Sequence, residues 1–334
     1  MAKLKDTDYL FSTARVRGAE RNLLSREKVE KMIDGKTPAD SLKVLYELDY
    51  GNGETVEEEQ FEVLLTQEHK KAYDFIMSIA PRKDDFLLFL YPYDYHNVKA
   101  LLKAEFLGTD PGPVLMDTGS IDIAKLSVMV RERNLLGMTD DMKTAINEVV
   151  DTFARTNDPQ VVDLILDKAC YQDMLKAAKA TENSFIMGYV QLLIDTVNLK
   201  TFVRLRKMDK GWDFFQKVFL PGGNIPEKLF ISSYDEDLAQ FAERLLPYGL
   251  QPAMAEGSAM LKETGMFTAL EKQCDNRLLD YVKDAKYQSF GVEPLVGYLI
   301  AKENEIKTAR IIMAGKLAKL SNELIRERLR ETYV

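Results

Sequence analysis

Histidine, cysteine and tryptophan are scarce in this chain of 334 residues, which holds two, two and one of them respectively. His69 and His96 lie far apart with no cysteine beside either. They do not form the clustered set of His, Cys, Asp or Glu that a metal site needs. Nor do they offer the histidine-centred arrangement that activates a serine or cysteine nucleophile. The sequence therefore predicts no catalytic residue, no metal and no cofactor. Cys170 and Cys274 are two thiols in a long chain, a usage that points to a reduced compartment; their spacing alone leaves a cross-link open.

Long apolar runs are also missing. The longest, near Phe185–Ile194, is about half of the ~20 residues a membrane helix requires, so no membrane span is expected. Met1-Ala2-Lys3-Leu4-Lys5-Asp6 leads into a charged segment without the apolar centre of a signal peptide, and the expected location is cytoplasmic. Positive charge is not in excess: the net charge is −8 and the pI near 5.2. That balance argues against a nucleic-acid binder. With 46% apolar and 29% charged residues, the chain can bury a core and does not have a disordered composition.

Phosphate cradles fail on inspection. Gly35-Lys36-Thr37 resembles the end of a P-loop, but that motif needs a glycine five residues earlier, where Glu30 stands, and no apolar strand precedes it. Pro221-Gly222-Gly223 lacks the following Lys and hydroxyl. Both read as loops. Glu54, Glu57, Glu58, Glu59 and Glu62 read as a solvated face early in a helix. The mixed charges from Lys302 to Glu331 read mainly as helix surface, with a small basic excess.

What is present is helical periodicity. Val98, Leu101 and Leu102 fall on one side of residues 94–106, and Leu199, Phe202 and Val203 do so over residues 195–208. Leu317, Leu320 and Leu324 form a similar stripe. Strict alternation and hairpin signals are absent. Helix starts are expected at Ser25, at Thr37-Pro38, at Thr139 and at Asn157-Asp158-Pro159, and helix ends at Gly108 and Gly211. The fold class expected is all-α.

Two joints, residues 108–113 and 220–226, are rich in Gly and Pro. They cut the chain into thirds: 1–112, 113–221, and 222–334 with a C-terminal helix. The thirds resemble one another. Asp94-Tyr95-His96-Asn97-Val98-Lys99-Ala100 recurs as Asp195-Thr196-Val197-Asn198-Leu199-Lys200-Thr201, and more weakly as Glu305-Ile306-Lys307-Thr308. The period is far above the roughly 20–45 residues of a helical solenoid, so three copies of one multi-helical subdomain, arranged with pseudo-threefold symmetry, are expected. Asn97, Lys99, Asn198, Lys200, Glu305 and Lys307 occupy equivalent places and are the candidate partner contacts. A buried cap and a snorkelling lysine would explain the same pattern.

The stretch Glu293-Pro294-Leu295-Val296-Gly297-Tyr298-Leu299-Ile300-Ala301-Lys302-Glu303-Asn304-Glu305-Ile306-Lys307-Thr308-Ala309-Arg310, continuing to Lys316, resembles the signature of the C-type stalk subunits of V-type/A-type ATPases (ATP synthases), a family whose eukaryotic counterpart is the V-ATPase d protein. Tyr9, Ala14-Arg15-Val16-Arg17, Leu23-Leu24-Ser25, Asp94–Lys99 and Phe219-Leu220-Pro221-Gly222-Gly223 fit the same family in order. At Ala309 and Arg310 the chain departs from it. The resemblance implies a funnel of three helical subdomains on the cytoplasmic face of the membrane. It implies a non-catalytic connector in the central stalk, between the D and F axle proteins and the membrane rotor ring. A soluble helical-repeat adaptor outside any ATPase is the alternative; the length of the repeat weighs against it. An all-α enzyme would have only unclustered Asp and Glu to work with.

Overall fold

The computed structural model describes residues 5–334, and those residues form helices and turns with no strand. The first four residues, part of the charged opening segment, lie outside the described residues. In chain order the helices are α1 (Leu10–Glu20), α2 (Arg26–Asp34), α3 (Pro38–Glu47), α4 (Phe61–Ile79), α5 (Tyr91–Leu107), α6 (Ile123–Glu132), α7 (Asp140–Thr156) and α8 (Gln160–Ala180). They continue with α9 (Ser184–Lys207), α10 (Trp212–Val218), α11 (Glu227–Ser232), α12 (Leu238–Arg244), α13 (Gln251–Thr264), α14 (Thr268–Lys283), α15 (Glu293–Leu317) and α16 (Asn322–Arg328).

Local chemistry sets most of these boundaries. Ser25 caps α2 by accepting from Lys28 N–H. Thr37 and Asp40 form a reciprocal capping box at α3, with Pro38 at its first position. Gly35-Lys36-Thr37 is thus a turn between two helices. Thr139 caps α7, and Gly108 ends α5 in the left-handed conformation, at φ 65°.

Two expected boundaries differ. Gly211 is the residue before α10, with an extended backbone. The left-handed turn after α9 falls to Asp209 instead, and Lys210 N–H returns to Leu205 O. The start expected at Asn157-Asp158-Pro159 is met by α8, which begins directly after Pro159 with Asp158 Oδ1 accepting from Gln160 N–H. The stripe of Leu317, Leu320 and Leu324 is broken by a turn with Lys319 at positive φ, so α15 and α16 are separate. Of the acidic run, Glu62 alone lies within α4, and Glu58 and Glu59 lie in a preceding 3-10 turn.

The chain divides into two compact units. One comprises residues 1–81 with 236–334, and the other residues 82–235. In the two-segment unit, α15 packs against α1, α3, α4 and α14. Its core joins Met32, Ile33, Leu45, Leu64 and Leu65 to Ile306, Ile312, Met313 and Ile325, so the beginning and end of the chain share one interior. In the continuous unit, α8 packs against α5, α7 and α9. Phe202, Phe215, Phe219, Phe230 and Tyr234 gather there with ring centroids 5.3–6.2 Å apart. That spacing suits edge and tilted aromatic packing. Cys170 and Cys274 are buried and free.

Candidate functional site

The repeated segment holds a loop by the same device each time. On α5, Asn97 Oδ1 accepts from Met116 N–H at 2.8 Å, and its Nδ2 donates to Met116 O at 2.9 Å. On α9, Asn198 Oδ1 accepts from Leu220 N–H at 2.9 Å and its Nδ2 donates to Leu220 O at 2.8 Å. Both amides are fully buried. Each reads one backbone residue with both ends of its side chain, as a neighbouring strand would.

One turn earlier on each helix an aspartate holds the next part of the loop. Asp94 accepts from Ser120 N–H at 3.1 Å and Ile121 N–H at 3.2 Å. Asp195 accepts from Asn224 N–H at 3.0 Å and Ile225 N–H at 2.9 Å. These amides stand four and five residues after Met116 and Leu220. Burial pushes both carboxyls above the usual carboxylate range, and the hydrogen bonds from the loop work against it. The loop must come close. A Cβ on Gly119 would lie 2.5 Å from Asp94 Oδ1, and one on Gly223 2.2 Å from Asp195 Oδ1. Each glycine stands three residues after the residue its asparagine holds.

The weaker match at Glu305-Ile306-Lys307-Thr308 also holds a loop, with different groups. Aligning Lys307 with Lys99 and Lys200 puts Glu305 in place of asparagine and Lys302 in place of aspartate. Glu305 Oε2 accepts from Leu24 N–H at 2.5 Å. Leu24 is thus the counterpart of Met116 and Leu220. The amides four and five residues on, Lys28 and Val29, bond to Ser25 Oγ and Ser25 O at the start of α2. With no aspartate to approach, the glycine position holds Glu27, which is exposed.

Glu305 belongs to a buried charged cluster. Its Oε1 accepts from Tyr50 OH at 2.5 Å and Lys302 Nζ at 2.6 Å, and Lys302 Nζ also lies 2.7 Å from Glu68 Oε1. Glu68, Lys302 and Glu305 are 3–5% exposed. Burial alone would lower the lysine, but Glu305 and Glu68 outweigh it and hold the ammonium above its usual range. Burial raises Glu68. Beside the cluster, Tyr73 OH donates to Glu303 Oε1 at 2.5 Å, and His69 Nε2 lies 3.9 Å from the same oxygen. His96 lies in the other unit and meets Val114 O at 2.8 Å.

Of the six candidate contact residues, Asn97, Asn198 and Glu305 thus face inward onto loops of this chain. Lys99 pairs with Asp167 of α8 at 2.6 Å. Lys200 is half-buried and forms no ion pair among the described residues, while Lys307 is exposed. Asp94, Asp195, Gly119 and Gly223 were not singled out as site residues from sequence. The two aspartates open the repeated segment and were legible there, but the glycines follow them at different distances, 25 and 28 residues, and carry no common spacing in the sequence. Arg310, where a departure from the family pattern is expected, pairs with Glu62 at 2.8 Å.

No helix among the described residues is long and apolar enough to cross a membrane. Residues 12–328 match the family described as ATP synthase (C/AC39) subunit. The chain is 25% identical to the C protein of the V-type sodium ATPase of Enterococcus hirae, over 95% of this chain and 97% of that one. It is 24% identical to the C protein of the A-type ATP synthase of Methanocaldococcus jannaschii, over 96% and 86% of the two chains. With that of Thermococcus kodakarensis it shares 21% identity over 97% and 90%. The match spans α5, α9 and α15 and the loops they hold, and the chain belongs to the ATP synthase (C/AC39) subunit family.

Proposed function

We propose that this chain is the non-catalytic connector in the central stalk of a rotary V/A-type ATPase, coupling the D–F axle to the membrane rotor ring. The observation that carries this reading is the family match from residue 12 to residue 328, supported by relatives matched over 97% and 86% of their length. The chain would work at the cytoplasmic face as a peripheral subunit, in ATP-driven ion transport or in ATP synthesis. The name of the Enterococcus hirae relative makes sodium one candidate for the transported ion.

A connector transmits torque, so its body must be stiff and its joints must not slip. The helix–loop clamps suit that task, because each fixes backbone to backbone through a buried side chain. They also support three copies at 1–112, 113–221 and 222–334. Near each boundary between copies a loop is held by a helix: Met116, just after the first boundary, by Asn97 of the first copy, Leu220, just before the second boundary, by Asn198 of the second, and Leu24 of the first copy by Glu305 of the third. In chain order the third helix, α15, returns to the loop of the first copy. Among the six candidate residues, Lys200 and Lys307 have charge available for a partner. Asn97, Lys99, Asn198 and Glu305 would act by holding the surface that the partner meets.

The test pairs ATP hydrolysis with ion flux in vesicles reconstituted with and without this chain. Removing a connector should abolish flux while the soluble head continues to hydrolyse ATP. Normal flux in its absence would overturn the coupling role, and loss of all hydrolysis by the head would indicate a direct catalytic part.

A further inference from the structure

Three equivalent backbone amides, those of Met116, Leu220 and Leu24, are each held by a long helix. Two are held by a neutral asparagine and the third by a carboxylate. The third is also the joint that ties the N-terminal segment to α15 inside the two-segment unit. Its charges do not balance. Glu68 and Glu305 share one ammonium, Lys302, in a site almost closed to water. Glu68 Oε2 is buried and accepts no hydrogen bond. The nearest further cation is Lys71, 3.5 Å from that oxygen, and it is also engaged by Asp49 at 2.9 Å. The remaining titratable groups around the cluster are Tyr50, whose ring lies 4.6 Å under Lys302 Nζ, Tyr298 of α15, and the Glu303–His69 pair.

We propose that the Glu68–Lys302–Glu305 cluster is a proton-responsive latch, which holds Leu24 on α15 when Glu68 carries a proton and loosens as pH rises. With Glu68 neutral, Lys302 and Glu305 form a balanced pair, and the lysine's charge supports the carboxylate that holds Leu24 and Tyr50. With Glu68 ionised, one surplus negative charge is confined away from water. Hydrating it then favours the open arrangement, because burying an unpaired charge is costly. Burial raises the Glu68 carboxyl in the closed form, against the pull of Lys302 and Lys71 and with the push of Glu305. The closed form thus binds the proton more tightly than a solvated open form. The contribution is complete below the ordinary carboxyl value and is lost as pH rises through the raised one.

The experiment is amide hydrogen exchange on the intact chain from about pH 5 to about pH 9, corrected for intrinsic rates. Protection at Leu24 should fall about tenfold or more across this range. Glu68→Gln should flatten that fall and leave Met116 and Leu220 as they were. The comparison with the variant matters because Asp94 and Asp195 titrate beside the two reference amides. Leu24 protection that is flat or rises with pH overturns the latch, and so does a slope that Glu68→Gln leaves unchanged. Should the variant fail to fold by circular dichroism, the unaltered chain decides. Leu24 must then lose protection more steeply than Met116 and Leu220, and an equal or shallower slope overturns the proposal. None of these outcomes depends on the partner assignment above.

Discussion

The clamps of the continuous unit and the junction at Glu305 do one job with opposite chemistry. In the first region a neutral amide reads a loop residue, an aspartate one turn back takes the next two amides, and a glycine lets the backbone approach. In the second, three positions have changed together. Glutamate stands for asparagine, lysine for aspartate, and Glu27 for glycine. Each change makes sense only with the others. Once lysine replaces the aspartate, the two loop amides need another acceptor, and Ser25 supplies it by starting a helix. Once the aspartate is gone, the glycine has nothing to make room for. The geometry of loop holding is thus retained, while the burden shifts from hydrogen bonds to buried charge.

That contrast sets an order of sensitivity. Lys302→Met removes the one cation shared by two buried carboxylates and should destabilise the two-segment unit by about 3–5 kcal/mol, the usual cost of breaking a buried ion pair from one side. Asp195→Ala strands two loop amides in the continuous unit and should cost about 1–3 kcal/mol. Urea unfolding of both variants, followed by probes in each unit, checks the ranking. If Lys302→Met proves the milder change, charge is not what fastens the third junction.

The next step down tests the glycine. Gly223→Ala would put a Cβ 2.2 Å from Asp195 Oδ1 and 3.2 Å from Ile194 Cγ2. It should cost about 1–3 kcal/mol through forced displacement. The Asp195→Ala and Gly223→Ala double variant should lose less than the sum of the two, because each change removes the object the other collides with or holds. Strict additivity would break the pairing of aspartate with glycine.

These relations mark where the sequence was legible. Helical periodicity and capping chemistry are local, and the all-α class and the caps at Ser25, Thr37 and Thr139 could be read directly. Gly211 misled because a glycine after a helix is as compatible with starting the next helix as with ending the last. The inward turn of Asn97 and Asn198 was harder to read, because helical spacing gives a face but not what covers it. The pairing of Leu24 with Glu305 spans 281 residues, and nothing in the weak third copy announces that its loop comes from the start of the chain. Each glycine stands three residues after the residue its asparagine holds, but at different distances from the aspartate, so that spacing shows only once the held residue is known.

The smallest effect in the series is the most discriminating. Glu27 occupies the position where Gly119 and Gly223 stand in the other copies, but it is exposed in the first turn of α2. Glu27→Ala should therefore cost only a few tenths of a kcal/mol, about what one acidic side chain contributes near a helix N-terminus in water. The same small residue that distorts the clamp at Gly223 should be almost unnoticed here. The reason is specific: with Lys302 in place of the aspartate and α2 already begun at Ser25, the backbone at residue 27 has no carboxylate to approach. Thermal unfolding of Glu27→Ala beside Gly223→Ala measures the difference on one scale. A loss at residue 27 as large as that at residue 223 would mean that Glu27 meets a close neighbour after all, and that the third loop is held as tightly as the other two.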